Sequence, residues 1–360
     1  MVIWRTSLVA LIASLAISAA DKVVGGPFVV NVTSRGATIG WILETGSAKV
    51  QIPPAPKKAA STKVSPALKV EYTGLSALQP NTRYDYEVAG RKGYFKTPPT
   101  GTEPYTFVLY GDVRTRHDVH RRVIEQLLKH GVPDFVVHSG DLVENGKDSS
   151  LWATYFDIER ELLRQTAFFP SLGNHERNAS EFYDFFQTRM PYYSFNWGNA
   201  HFAVMDSDIG NVSATKSARD AFWAAQTRWL EEDLAANQKA DYRFIVAHHG
   251  PFTAVERRQG DNPHMTALAP LLEKYKVAAG LFGHDHNYQH YLKNGVHYVV
   301  SGGGGAPLYD VNKPDPAITQ KVVSVENFVS VSVNGKTAKV RAIDINGNVI
   351  DEFEFKGTGQ

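Results

Sequence analysis

Apolar and polar positions follow two rhythms along this chain, and the change from one to the other falls near residue 100. Before it, short runs of alternating polarity at 28–33, 37–43, 69–73 and 82–88 sit between clusters of Gly, Ser, Asn and Pro. Such runs predict a small all-β sandwich. After it, apolar runs rich in Val, Phe and Ile alternate with stretches of helical spacing at 119–129, 151–164, 218–236 and 265–275, the last carrying Pro270 near its start. Alternation of this kind predicts an α/β unit with parallel strands. The chain then returns to strand patterning at 295–301 and 328–355, with Asn334-Gly335 and Asn346-Gly347 as tight turns, so antiparallel hairpins are expected to close the sheet. Pro98, Pro99 and Pro104 punctuate the boundary. The resulting partition is a leader over 1–20, a β-sandwich over 21–98, a linker over 99–104 and an α/β unit over 105–360.

Five apolar runs end in the same way. Residues 105–110 lead into Gly111-Asp112, and 135–137 lead through His138-Ser139 into Gly140-Asp141. Residues 167–172 lead into Gly173-Asn174-His175-Glu176, 243–247 into His248-His249-Gly250, and 277–282 into Gly283-His284-Asp285-His286. A lone Gly-Asp after a strand is ordinarily a turn, and a lone His pair an ordinary strand end. Five such ends at one sheet edge, where open α/β sheets hold their ligands, make a site. His138 is different: by strand alternation it points away from Asp141 and reads as a core histidine.

Imidazoles, an amide carbonyl and carboxylates together suit Zn, Mn or Fe, and the chain has no cysteine to build a thiolate site. A carboxylate with two oxygens can bridge a pair of ions that clamp a phosphoryl group. Formal net charge is +1 with no long run of one sign, so no nucleic-acid partner is indicated and any anionic substrate must be recognised locally. Arg5, an apolar run over 8–17 and Ser18-Ala19-Ala20 before Asp21 have the layout of a secretory signal. Cleavage after Ala20 and export to the periplasm or beyond are expected, with no membrane association afterwards. The sequence carries no signal for oligomeric state.

The five motifs, in this order, resemble those of the calcineurin-like metallophosphoesterases. Leu78-Gln79-Pro80-Asn81-Thr82-Arg83-Tyr84 resembles the late strands of a fibronectin type III-like domain, and with the Gly302-Gly303-Gly304-Gly305 turn it makes the purple acid phosphatase branch the nearest likeness. The resemblance implies a four-layer α/β/β/α sandwich preceded by a small all-β sandwich, and two divalent or di/trivalent metal ions, Fe, Zn or Mn. It implies Asp141 as the bridging ligand, with Asn174, His248 and His284 completing one metal site and Asp112 and His286 serving the other. His175 resembles the residue that contacts the phosphoryl group and assists protonation. His264, on the loop between the fourth and fifth motifs, falls where that branch carries a histidine for substrate binding or leaving-group protonation. His249 remains open between ligand, phosphate contact and outer support.

The chain departs from that family twice. Glu144 stands where the purple enzymes carry the tyrosine that gives their colour, and Asp112-Val113-Arg114 stands where the other branch has Asp-x-His. Three evident ligands remain around Asp112. Arginine has no lone pair to offer a cation, so Arg114 is expected at the rim of the site, matching a pair of phosphate oxygens, unless it turns out to a surface carboxylate. The function implied is an exported binuclear hydrolase that cleaves small phosphomonoesters or phosphodiesters by attack of a metal-activated hydroxide. The alternative is a catalytically weakened metal- or phosphate-binding protein.

Overall fold

The computed structural model describes residues 9–11, 22–45 and 67–359. The expected leader lies outside these, apart from β1 (Val9–Leu11). Eight further strands and the first helices follow as β2 (Lys22–Val30), β3 (Ala37–Thr45), β4 (Ala67–Leu75), β5 (Arg83–Val88), β6 (Arg91–Lys96), β7 (Tyr105–Tyr110), α1 (His117–His130), β8 (Phe135–His138), α2 (Ser149–Ile158), α3 (Arg160–Leu163) and β9 (Ala167–Pro170). The middle of the chain adds α4 (Ser180–Phe186), β10 (Tyr193–Trp197), β11 (Ala200–Val204), α5 (Lys216–Ala236), β12 (Tyr242–Val246), α6 (Pro263–Thr266), α7 (Ala269–Lys274) and β13 (Ala279–Phe282). It ends with β14 (Tyr288–Lys293), β15 (Val296–Ser301), β16 (Thr319–Val323), β17 (Asn327–Asn334), β18 (Thr337–Asp344) and β19 (Val349–Lys356).

Two large sheets carry most of the strands. One has nine strands in the order β19-β18-β17-β7-β8-β9-β2-β3-β4, the other seven in the order β10-β11-β12-β13-β15-β14-β16. Their facing sides share one aromatic core, in which Phe107 of the first sheet meets Phe202 and Phe244 of the second at 5.4 and 5.6 Å between ring centres. α1 to α4 cover the outer face of the first sheet, and α5 to α7 that of the second. The fold is thus the expected four-layer sandwich.

Local sequence explains the elements. α1 buries Val119, Val123 and Leu127 at a spacing of four, and Gly131 stops it by donating its N–H to the Leu127 carbonyl. The expected helix over 265–275 is two short ones, because Pro270 belongs in a first turn and opens α7. β7, β8 and β9 pair in parallel, as do β11, β12, β13 and β15. The five motif-bearing strands therefore divide three and two between sheets, where the sequence suggested a single edge. Strands buried on both faces lack alternation, and nothing local assigns them to one sheet or the other.

The β-rich segment precedes the α/β unit, as expected. β5 and β6 form a hairpin with β1, while β2, β3 and β4 continue the nine-stranded sheet, with Val29 beside Ala167 of β9. β2 is buried from Gly25 to Val30 without a polar interruption, the mark of an interior strand. Among the described residues no helix is long and apolar enough to cross a membrane.

Candidate metal centre

Five strand ends converge between the two sheets. β7, β8 and β9 deliver Asp112, Asp141 and Asn174, and β12 and β13 deliver His248, His249, His284 and His286. Asp112, Asp141 and His284 have φ of 59°, 56° and 70°. Left-handed backbone at a non-glycine residue is strained, and its clustering at three ligand-type residues marks a functional centre. The turns approach so closely that a Cβ on Gly173 would collide with the Asp141 amide and carboxylate. Glycine is required there by contact, whatever its φ.

Two groups of ligand atoms result, each within 4.8 Å: Asp112, Asp141 and His286, and His248, His249 and His284. The Asn174 carbonyl oxygen lies 3.0 Å from His248 Nε2 and 3.1 Å from His284 Nδ1. His248 Nε2 is also 3.5 Å from Asp141 Oδ1, so Asp141 stands between the groups. His248 Nδ1 donates to the Ser139 carbonyl at 2.7 Å, and His286 Nδ1 to that of Pro307 at 2.7 Å. A carbonyl can only accept, so each ring keeps its Nε2 lone pair for the site. Burial and the surrounding imidazoles hold His284 and His249 far below the ordinary histidine range, leaving both rings neutral. Burial raises the Asp112 carboxyl, but His248 and His286 outweigh it and keep the group ionised.

These residues fit a cation. Asp112 Oδ1 is buried with no hydrogen-bond partner among the described residues, although His286 Nε2 lies 3.5 Å away. An ionised oxygen left so costs several kcal/mol unless a charge compensates it (about 1–3 kcal/mol even for a neutral group). His248 Nε2 and His284 Nδ1 meet at 3.2 Å, close enough for one ion to take both rings as ligands.

A family model described as calcineurin-like phosphoesterase matches residues 105–288, half of the chain, and covers all five motifs. The chain belongs to the calcineurin-like phosphoesterase family. Among its relatives, purple acid phosphatase 21 of Arabidopsis thaliana is 27% identical over 267 residues, covering 66% of this chain and 58% of that protein. Tartrate-resistant acid phosphatase type 5 of Mus musculus is 32% identical over 201 residues, covering 48% and 61%. The chain thus spans less than two thirds of either relative's length. A purple acid phosphatase from yellow lupin seeds shares the fold, with a TM-score of 0.71 at 18% identity over 92% of this chain and 74% of that one.

Within this phosphoesterase fold the remaining sequence-named residues divide. His175 is at the centre: its backbone N–H donates to Asp141 Oδ1 at 3.0 Å, its Nδ1 to the Glu144 carbonyl at 2.9 Å, and its partly exposed Nε2 faces Asp141 Oδ2 at 3.9 Å. Arg114 is there too, with Nε 3.2 Å from Asp141 Oδ2 and Nη1 bonded to the Glu144 carboxylate. Both outcomes considered for it are realised at once, since it lies at the site and pairs with a half-exposed carboxylate. His264 lies farther out, packing on Trp223 and donating Nε2 to the Ser207 carbonyl at 3.0 Å. The Ser207 hydroxyl in turn meets His249 Nδ1 at 2.9 Å. His138 is wholly buried beside Tyr110 and Phe168, and burial pushes its imidazole down to about 3, as suits a core histidine.

Sequence reading missed four contributors. Glu176 takes the backbone N–H groups of Asp141, Leu142, Val143 and Gly173 at 2.7 to 3.2 Å and so fixes the turn that presents Asp141. Burial, reinforced by the Asp141 charge, pushes its carboxyl up to about 8. Asp206 and Asp208 follow β11, a sixth strand end, with burial pushing Asp206 up to about 7. The run 202–205 before Asp206 was the available signal, though it lacks the glycine that marked the others. Arg258 touches His284 Nε2 and lies 3.4 Å from Asp285, on a loop whose pattern announces nothing.

Proposed function

We propose that this protein is a binuclear metal-dependent hydrolase of small phosphomonoesters or phosphodiesters. The buried, unpartnered Asp112 oxygen beside Asp141 carries the reading, because it asks for a cation where a second ligand group adjoins. Asp141 would bridge, Asn174, His248 and His284 would hold one ion, and Asp112 and His286 the other. Ions bound there supply Lewis acidity to a phosphate ester and to the water that cleaves it. His175 donates Nδ1–H to the Glu144 carbonyl, which aims its Nε2 at the site; as the imidazolium it would carry on Nε2 the proton that the departing alkoxide takes. Arg114 contributes a permanent positive charge at the rim for the non-bridging phosphate oxygens. His249 and His264 are joined through Ser207, and His264 would serve substrate binding or leaving-group protonation as the family resemblance implies. Export rests on the layout of residues 1–20, and the division into β-rich 21–98 and catalytic 105–360 on composition.

The test is turnover of chromogenic phosphate mono- and diesters with metal analysis, before and after chelation. Turnover is expected to vanish with the metal and return with Mn²⁺, Zn²⁺ or Fe²⁺. Turnover that survives complete metal removal overturns the proposal, and bound metal without turnover favours the alternative of a metal- or phosphate-binding protein. No strong visible absorption band is expected with iron bound, because position 144 is glutamate.

A further inference from the structure

Arg114 bonds the Glu144 carboxylate and leans its Nε to 3.2 Å from Asp141 Oδ2. The arginine side chain is 12% exposed and the glutamate 44%, so the guanidinium lies within the mouth of the site with the carboxylate above it. The Nε group is a buried donor without an aligned hydrogen bond among the described residues. Glu144 therefore anchors the arginine, and Asp141 is met by charge alone.

We propose that Arg114 is a built-in cation that competes with metal at the Asp112–Asp141–His286 group, that Glu144 holds it there, and that this group consequently carries the weaker, exchangeable ion. The proposal deepens the two-ion reading above and rests on it. A fixed positive charge about 3 Å from a ligand oxygen lowers the affinity of that oxygen for any incoming cation, most strongly where water is scarce. Asp112 and Asp141 are both buried.

The second ligand group is not burdened in the same way. Its neighbouring cation, Arg258, touches only the outer His284 Nε2, and its Nε lies 3.4 Å from Asp285, a carboxylate outside both ligand groups. The His248 ring is fixed by the Ser139 carbonyl, with Nε2 turned to Asn174. Preorganised neutral donors favour tight binding of one ion there. Glu144, by contrast, is a half-exposed carboxylate whose orientation depends on Arg114. Freed of it, Glu144 would add a fourth oxygen- or nitrogen-donor residue to Asp112, Asp141 and His286, a set that suits Mn²⁺ or Zn²⁺.

The experiment is calorimetric titration of the chelator-treated full chain with Mn²⁺, in parallel with ester turnover, and with circular dichroism to confirm folding. Wild type is expected to bind one ion at least about tenfold more tightly than the other, and Arg114→Gln to tighten the weaker by about 10- to 100-fold, the range of outer-ligand effects on metal affinity. Glu144→Gln, a change on a half-exposed side chain, tests the same point from the other end: it removes the anchor of Arg114 and should also tighten that ion, by less than Arg114→Gln does. In the double variant the gain should be smaller than in Arg114→Gln, because the freed carboxylate is gone, and what remains reports the loss of the arginine charge. Two ions of equal affinity in wild type, or an unchanged weaker ion in Arg114→Gln, overturn the proposal. If turnover persists with two equally tight ions, the competition fails while the hydrolase reading stands. If Mn²⁺ binds as described but no ester is cleaved, the hydrolase reading fails and the competition stands.

Discussion

Replacing Asp141 by Asn is expected to abolish phosphoester turnover and to deplete metal at both ligand groups at once. The substitution keeps the shape of the side chain and removes its charge. Asp141 Oδ1 accepts the His175 amide and lies 3.5 Å from His248, while Oδ2 faces Arg114, and the carboxylate groups with Asp112 and His286. An amide there offers a donor N–H to one of those two sides, whichever way it turns. Because Asn accepts left-handed backbone readily, the turn at φ 56° should survive and the protein should stay folded. Metal affinity should fall by more than about 100-fold, beyond the range for residues that merely support a ligand. Metal content after dialysis, beside turnover and a thermal melt, checks it. A folded variant that keeps both ions and near-normal turnover removes Asp141 from the bridging position.

His175→Ala should behave in the opposite way, keeping its metal and losing its rate. The contact that ties this residue to Asp141 is made by the backbone N–H, which alanine retains. What disappears is the imidazole, and with it the Nε2 position from which the imidazolium would pass a proton, on a side chain still 21% exposed to an arriving ester. Loss of a positioned general acid costs roughly 10²- to 10⁴-fold in turnover. Esters with good leaving groups need little protonation and should suffer least, so the ratio between nitrophenyl and alkyl phosphates should widen. If metal is lost instead, His175 is a ligand; if both ester classes slow equally, it positions the substrate and transfers no proton.

Much of this centre was legible because strand ends leave a local signature. Gly-Asp, Gly-Asn-His-Glu and Gly-His-x-His each end a buried apolar run, and all of them reach the same cleft. His138 could be placed in the core by alternation alone, since a strand of period two fixes which face each residue shares. What stayed hidden depends on contacts made at a distance in sequence. The Glu176 carboxylate gathers amides from two loops, and nothing in its neighbours announces that. Arg114 and Glu144 were each visible as departures, but their pairing across 30 positions is a property of the folded loops. Asp206 went unnoticed because its strand ends without the glycine that marked the others.

One consequence of the sheet order concerns where this chain can be divided. Composition marks a seam at 99–104, yet β2 lies against β9 in the nine-stranded sheet, and Arg91 ties β6 back to the carbonyls of Val23 and Gly26. Phe28 stacks on Phe156 of α2 at 5.1 Å, and Tyr86 bonds the Arg164 carbonyl just beyond α3. A fragment beginning at the seam would leave β9 as an open edge beside uncovered aromatic surface, an invitation to pair with another copy. The N-terminal strands therefore act as a covalently supplied cover for the catalytic sheet, and any shorter version of this protein must bring a substitute for them.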